Sequence, residues 1–256
     1  MAHEATEQAD VETALARIPE QLAFTDRLLS RMEPDFTLAP GARVLDVGAA
    51  QGVAVVCFAM KGLVAEGVEP WRPAIEVSHE VARRSDVEIT IEEGWAEAMP
   101  FDSESFDFVH AYSVMEHVDE PETVFREAYR VLKPGGAFYF GTTSALCPRQ
   151  AEIARFPLFP WYPNRLQRRI MNWAKDNKPE LVGHTTRPAY HWFKHREVQR
   201  TLREIGFSRV IDRWELRRDE SGGPRGAVID ACADNRAARF VGDVMEPGME
   251  YVAIRS

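Results

Sequence analysis

One short segment has the residue pattern of a ligand-binding turn. The run VLDVGAAQG, Val44 to Gly52, is an apolar strand that ends in an acidic residue and small residues and then opens a helix. Small residues are needed there because the chain turns sharply and a ligand must approach the backbone closely. The glycine spacing G-x-x-x-G fits poorly with the G-x-G-x-x-G fingerprint of nicotinamide cofactors. The segment predicts a ligand site at the carboxyl edge of a parallel sheet, with a tight turn that binds nothing as the alternative.

A carboxylate follows at the distance that a strand–helix–strand unit imposes. Glu69 ends the apolar run VAEGVE, 21 residues after Gly48. A carboxylate at that strand tip can accept hydrogen bonds from both hydroxyls of a ribose. Pro70 and Trp71 come next, and they would border the base of a nucleoside, although Trp71 could equally pack under the first helix. Together with the turn, Glu69 favours a nucleoside-binding site over a solvated charge.

The elements that must position these residues alternate between strands and helices. Short apolar strands separated by helical segments run from Arg43 to Thr143, which predicts right-handed βαβ units and a parallel sheet. Apolar residues at helical spacing before Pro34 predict a helical cap ahead of this core. After Thr143 the rhythm is lost in a stretch rich in proline, aromatic residues and arginine, which predicts a lid or substrate-binding insertion.

Three further stretches carry a family resemblance. The segments EGWAEAMPF (93–101), FDFV with SVMEHV (106–118) and REAYRVLKPGG (126–136) resemble those of the class I S-adenosylmethionine (SAM)-dependent methyltransferases, in particular the type 11 group that includes quinone-pathway enzymes. The resemblance covers about residues 42–142 and, weakly, 194–215. It implies a doubly wound α/β fold with a mostly parallel, seven-stranded Rossmann-like sheet and an antiparallel last strand.

The resemblance also implies which positions hold SAM. Asp46 and the turn would line the methionine half, Glu69 the ribose, the segment at Trp95 the adenine, and the end of the fourth strand the methionyl arm. Two positions depart from the family pattern: Ala50 replaces its middle glycine, and Trp95 replaces its aspartate beside the adenine, so that recognition there shifts to backbone groups or stacking. The predicted cofactor-binding residues are Asp46, Gly48, Ala49, Gly52, Glu69, Pro70, Trp95, Ala96, Glu97, Ala111, Tyr112 and Ser113.

Methyl transfer from a sulfonium needs alignment more than acid–base chemistry, and a base is required only for some acceptors. His117, in the loop that the resemblance places over the sulfonium, is the predicted catalytic residue, with simple packing against the cofactor as the alternative. The insertion offers further candidates, and no metal ligand set is recognised. The predicted substrate residues are Trp161, Tyr162, His184 and His191, with Tyr190 as another possible base.

Composition limits the partners. The net charge of −9 argues against nucleic-acid binding, yet residues 144–218 have a local charge of +9. This basic, aromatic insertion could hold an anionic acceptor, could lie on a membrane surface to reach a lipid-linked one, or could be a solvated face over its own small core. Three dispersed cysteines and the lack of an apolar export or membrane segment predict a cytoplasmic protein without disulfides or a transmembrane span.

The sequence therefore predicts a SAM-dependent methyltransferase that acts on a small molecule, namely a secondary metabolite, a sugar or a lipid-linked intermediate. O-methylation is weakly favoured over C- or N-methylation. The alternative is a SAM-binding regulatory or assembly protein without transfer activity. We expect a single domain over 1–256, made of a helical cap (1–41), a SAM-binding core (42–143), a lid or substrate insertion (144–193) and C-terminal helices and strands that complete the sheet (194–256).

Overall fold

The computed structural model describes residues 2–150, 152–153, 156–182, 187–218 and 223–256, with side chains from residue 8 onward. Seven strands form one sheet in the order β3-β2-β1-β4-β5-β7-β6, mostly parallel with antiparallel last strands. The predicted doubly wound α/β fold is confirmed. The strands are β1 (Arg43–Val47), β2 (Val64–Glu69), β3 (Thr90–Glu93), β4 (Phe106–Tyr112), β5 (Leu132–Thr143), β6 (Phe207–Asp212) and β7 (Gly248–Arg255).

Nine α-helices accompany the strands in the described ranges. They are α1 (Ala2–Met32), α2 (Val53–Met60), α3 (Arg72–Arg84), α4 (Pro121–Val131), α5 (Asn164–Asn177), α6 (His195–Ile205), α7 (Arg213–Leu216), α8 (Pro224–Asp234) and α9 (Arg236–Met245). Helix α5 lies within the insertion, where the hydrophobic pattern indicates no helix, and near the C-terminus one predicted helix is two.

The chain divides into two compact units. Unit 1 comprises residues 1–111, 123–139 and 254–256, and unit 2 comprises residues 112–122 and 140–253. Strands β4 and β5 each contribute residues to both units because the division falls within them.

Unit 1 holds the N-terminal helix and the first strands. Register pairs Val44 with Ala65 in β2 and with Phe108 in β4, so the apolar strand β1 lies buried between two parallel neighbours. The predicted N-terminal helix is confirmed, and it packs Val11 and Ala14 against apolar residues of α2 and α3. That packing explains why its helical face is apolar although most of its other residues are polar.

Unit 2 contains the predicted insertion, which has a small apolar core of its own. Phe159, Met171 and Ala174 are fully buried there, and Tyr162, Tyr190 and Trp192 pack against the same cluster. These aromatic residues therefore fill the interior of the insertion, as one of the alternatives from the sequence supposes.

Two boundaries near the C-terminus differ from the sequence prediction, and each has a capping residue as its cause. The run FSRVIDRWEL (207–216) predicts one strand, but the strand ends at Asp212. The Asp212 carboxylate accepts hydrogen bonds from the N–H groups of Trp214 and Glu215 and starts α7. The apolar pattern over residues 227–244 predicts one helix, but this helix is broken at Asn235, which caps α9 in the same way. Asp and Asn side chains favour such N-caps over helix interiors.

None of the helices within the described ranges is both long enough and apolar enough to cross a membrane.

Candidate functional site

The turn after β1 has a backbone conformation that favours glycine and small residues. Gly48 and Gly52 have φ angles of +70° and +73°, and Ala50 has φ +46°. A Cβ at residue 52 would lie 2.6 Å from Ser78 Cβ, so glycine is required there by both the dihedral angle and the space. Ala50 sits in the left-handed region without a glycine, which costs about 1 kcal/mol. The departure from the family pattern at this position thus leaves the turn intact.

Glu69 lies at the tip of β2, as predicted, and its carboxylate is bound to the turn. Its Oε2 accepts the Ala50 N–H at 2.9 Å, and its Oε1 accepts the Trp71 N–H at 3.0 Å. The side chain is buried, and this burial raises its pKa although the two N–H groups oppose the shift. Each carboxylate oxygen has a second lone pair, so both oxygens can still accept a hydroxyl. The ribose role of Glu69 stays a prediction.

Two indoles follow the paired ends of β2 and β3. Glu69 pairs with Glu93 in the register of these strands, and Trp71 and Trp95 each come two residues later. Their exposed fractions are 49% and 53%. Large aromatic surfaces of this kind can stack on a purine. Among the remaining residues predicted for the adenine side, Ala96 is buried, Pro70 follows the tip directly, and Glu97 is part-buried.

Asp46 has a partner that the sequence analysis did not identify. His110, in the register position opposite Asp46 on β4, places Nδ1 2.6 Å from Asp46 Oδ1. Both side chains are almost fully buried. The sequence signal was a histidine between the apolar residues Val109 and Ala111, and its pairing depends on a residue 64 positions away in the chain.

Unit 2 contains a pocket of about 330 Å³ at the ends of β4 and β5 and the start of β7. Two predicted cofactor residues, Tyr112 and Ser113, line it, whereas the third residue of that prediction, Ala111, is buried in unit 1. The pocket's charged walls were not predicted. They are the carboxylates of Glu116, Glu152, Glu246 and Glu250 and the guanidinium groups of Arg213 and Arg217.

The two arginines of the pocket are neutralised by their neighbours. Arg213 donates to Glu246 and Glu250 at 3.1 Å each, and Arg217 also donates to Glu250. Glu116 and Glu152 are not part of that network in the described residues. The pocket therefore has an uncompensated acidic wall.

Glu116 is the deepest of these carboxylates. It is 1% exposed, its Oε2 accepts the Thr142 hydroxyl at 2.7 Å, and burial raises its pKa to about 7. A carboxyl group with this pKa can gain or lose a proton near neutrality. Tyr112 on the same wall has a raised pKa, again because of burial, and is protonated under those conditions.

His117, the predicted catalytic residue, follows Glu116 but is absent from the residues that line the pocket. Burial lowers its pKa, and its Nε2 lies 3.9 Å from a Glu152 carboxylate oxygen. Glu116, His117 and Glu152 bring three potential ligand atoms within 4.8 Å of one another, so these residues could hold a cation. The sequence prediction of no metal stays a prediction.

Three of the four predicted substrate residues are described, and these three are not among the residues that line this pocket. Trp161 is 57% exposed and donates from Nε1 to the Ala145 carbonyl, whereas Tyr162 packs in the insertion's core. His191 is half-buried with a pKa lowered by burial, and its carbonyl accepts the Thr143 hydroxyl. His184 lies outside the described residues.

A family model matches the part of the chain that carries these motifs. Residues 45–140 match the model described as "Methyltransferase domain". Ubiquinone biosynthesis O-methyltransferase of Pseudomonas entomophila (strain L48) is 37% identical over 107 residues, 40% of this chain and 44% of its own length. The enzyme of the same name from Pseudomonas syringae pv. syringae (strain B728a) is 36% identical over 156 residues, 58% of this chain and 64% of its own. The matches thus span about half of these relatives.

Solved structures share the fold at low sequence identity. YcgJ protein from Bacillus subtilis has a TM-score of 0.55 and 19% identity, covering 89% of this chain and 97% of its own. Phosphoethanolamine N-methyltransferase 2 from Haemonchus contortus, in complex with phosphomonomethylethanolamine and S-adenosylhomocysteine, has a TM-score of 0.58 and 15% identity, covering 90% and 52%. The [4+2]-cyclase SpnF has a TM-score of 0.54 and 20% identity, covering 90% and 80%.

The solved structures show likeness in fold, whereas the family model matches the sequence of residues 45–140. Residues 45–140 include the turn, Glu69, Trp95 and the Asp46–His110 pair, on the sheet that the motifs predict. The predicted resemblance is confirmed: residues 45–140 match a methyltransferase-domain model, which is consistent with the type 11 group of class I SAM-dependent methyltransferases.

Proposed function

We propose that the protein binds SAM in unit 1 and transfers its methyl group to a hydroxyl of a small-molecule acceptor. The observation that carries the proposal is the pair of buried carboxylates, Asp46 and Glu69, on adjacent strands of the matched domain, with Glu69 bound to the glycine turn. Each carboxylate keeps oxygen lone pairs beyond its protein contacts, and a ligand with hydroxyls and an ammonium can donate to them.

The residues of unit 1 fit the parts of SAM. The Glu69 oxygens accept the two ribose hydroxyls, the exposed indoles of Trp71 and Trp95 offer stacking surfaces to the adenine, and Asp46 supplies a negative charge for the ammonium. When bound, SAM supplies a methyl group on a sulfonium, which is already a good leaving group. The protein's own task is to hold the reactants in line and to keep water out.

We propose that the pocket in unit 2 receives the acceptor. Its Glu116 and Glu152 wall favours a group that donates hydrogen bonds, such as a hydroxyl. Glu116 lines the pocket and titrates near neutrality, so it competes with His117 for the role of base. The basic insertion would suit an anionic or lipid-linked part of a larger acceptor.

The preference for oxygen is supported by the relatives, which are named ubiquinone biosynthesis O-methyltransferases. The test is incubation with SAM labelled in its methyl group and a panel that includes 3,4-dihydroxybenzoate and catechol. We expect a labelled methyl ether. If the label appears only on nitrogen or carbon of other acceptors, the hydroxyl proposal is wrong.

The second candidate is a SAM-binding protein without transfer activity. Two observations favour it: the substitutions Ala50 and Trp95, and the same fold in a protein named a [4+2]-cyclase. Calorimetric binding of S-adenosylhomocysteine together with no labelled product from a broad small-molecule extract would support this candidate. Binding of NAD with no binding of either sulfur nucleoside would exclude both candidates.

A further inference from the structure

His110 and Asp46 form a buried pair next to the turn that is proposed to bind SAM. We infer that His110 is a positioning residue, which holds the Asp46 carboxylate in place for the ammonium of the cofactor's amino-acid part. The inference rests on the proposed function, because it assigns a role to a residue behind the proposed cofactor site.

The geometry restricts the imidazole on every side. His110 is 2% exposed and Asp46 is 4% exposed, and they are joined by the 2.6 Å contact between Nδ1 and Oδ1. The imidazole stacks on the Tyr139 ring at 5.4 Å with an interplanar angle of 16°, and the Phe58 ring meets it edge-on at 5.5 Å. Two aromatic contacts and a strand backbone therefore fix the direction in which Nδ1 points.

The contact assigns the tautomer. A carboxylate oxygen accepts, so Nδ1 carries the proton and donates to Asp46. His110 Nε2 is buried and has no hydrogen-bond partner among the described residues. A second proton on Nε2 would be a buried donor without an acceptor, so the neutral ring fits the site. The negative charge of the pair then stays on Asp46.

The negative charge of Asp46 acts on the proposed cofactor site. The Asp46 carboxylate acts electrostatically on Glu69, the proposed ribose ligand, and raises its pKa. Glu69 is thus coupled electrostatically to the pair, and Tyr139 is the titratable group that stacks on its imidazole. Among the described residues, the Asp46 carboxylate accepts one hydrogen bond, which comes from His110 to Oδ1. Oδ2 is left to accept from a ligand.

Without His110, Asp46 would be a buried carboxylate with no donor. Such a group is costly and is relieved by protonation or by a change of rotamer, and both would remove the negative charge from its present position. The loss would be confined to the ligand's amino-acid part. The adenine and ribose would still meet Glu69 and the indoles.

The test compares two ligands, three single variants and one double variant by calorimetry. S-adenosylhomocysteine has the amino-acid part, whereas 5′-methylthioadenosine has the same nucleoside without it. His110→Asn can place its amide N–H close to the position of Nδ1, while His110→Gln is polar and of similar size but reaches the position of Nε2. Asp46→Asn removes the charge itself.

We expect His110→Gln to weaken S-adenosylhomocysteine binding about 10-fold or more, as loss of a charge-assisted contact implies. Its 5′-methylthioadenosine affinity should stay within about 2-fold, and His110→Asn should restore most of the loss. Adding His110→Gln to Asp46→Asn should cause little further loss, because the two act through one contact.

The inference is overturned if His110→Gln binds S-adenosylhomocysteine like the parent, or loses affinity for both ligands equally, which would indicate a purely structural role. It is also overturned if the Asn variant is no better than the Gln variant. Failure of the unsubstituted protein to bind either nucleoside would instead refute the proposed function.

Discussion

Replacement of Glu69 by alanine is the sharpest test of the cofactor site. If the carboxylate accepts both ribose hydroxyls, its loss removes two hydrogen bonds to a charged group, each of which contributes about 1.5–3 kcal/mol. The sum of about 3–6 kcal/mol corresponds to a roughly 10²- to 10⁴-fold weaker Kd. The lower end is expected because Ala50 and Trp71 N–H groups also lose their acceptor and the turn can then relax around the ligand.

The assay is calorimetric titration with S-adenosylhomocysteine and 5′-methylthioadenosine, together with the 2′,3′-dideoxy analogue of the latter. Glu93→Ala is the matched control, since Glu93 lies opposite Glu69 in the register but is exposed and outside the proposed site. We expect the control to change affinity by less than about 2-fold, because exposed charges interact weakly through water.

The ligand analogue isolates the ribose contacts from any damage to the turn. In the unsubstituted protein, removal of the two hydroxyls should weaken binding about as much as Glu69→Ala does, and in the variant it should have little further effect. If removal of the hydroxyls is equally costly with and without Glu69, the ribose assignment is refuted. Because burial raises the Glu69 pKa, affinity for the ribose should also fall on mild acidification, as the carboxylate becomes protonated.

Three further predictions concern the acceptor pocket and the turn. If Glu116 is the base, the kcat/KM for methyl transfer should rise with pH through about 7, and Glu116→Gln should abolish that rise. If the rise instead lies below pH 6.5 and is removed by His117→Asn, the base is His117. Because the Glu116 pKa is raised, the folded protein holds a proton on this carboxyl over about pH 4.5–7 that the unfolded protein has lost, so the free energy of unfolding falls as pH rises across that range. Glu116→Gln should remove this fall, so that between pH 5 and pH 8 the variant gains up to about 3 kcal/mol of stability relative to the parent. Equal denaturation curves for the two proteins at both pH values would contradict the raised pKa. Gly52→Ala should lower the free energy of unfolding by about 2–4 kcal/mol in chemical denaturation, because the strain of the left-handed backbone adds to the overlap with Ser78. The control is Gly62→Ala, which has a similar φ of +76° but open space around its Cβ, and it should cost only about 1 kcal/mol. Equal losses would show that backbone strain alone acts.

The parts of the site that could be predicted from the sequence are those that local structure determines. The turn from Val44 to Gly52 and the tip at Glu69 belong to one strand–helix–strand unit, in which the spacing along the chain sets the spacing in space. The sheet followed from the alternation of strands and helices for the same reason. The break at Asn235 also had a local signal, an N-cap residue, that the apolar pattern concealed.

The parts that could not be predicted depend on register between distant segments. The partner of Asp46 is set by the alignment of β1 with β4, and a one-residue slip would turn His110 to the other face of the sheet. The pocket's charges come from four segments: the loop after β4, the insertion after β5, the region of α7 and the region where β7 begins. No spacing in the sequence brings these four together.

The charge of the pocket changes which acceptors are favoured. In the sequence, residues 144–218 are strongly basic, and an anionic acceptor is one of the three interpretations that this charge allows. In the structure, Arg213 and Arg217 from that range are neutralised by Glu246 and Glu250, which lie beyond it, and the uncompensated wall is acidic. A local excess of charge in the sequence does not give the charge of a cavity, because buried ions are paired by residues from elsewhere in the chain. The end of the acceptor that enters this pocket is therefore expected to be a hydrogen-bond donor, and any anionic part should be held by the remaining basic residues of the insertion.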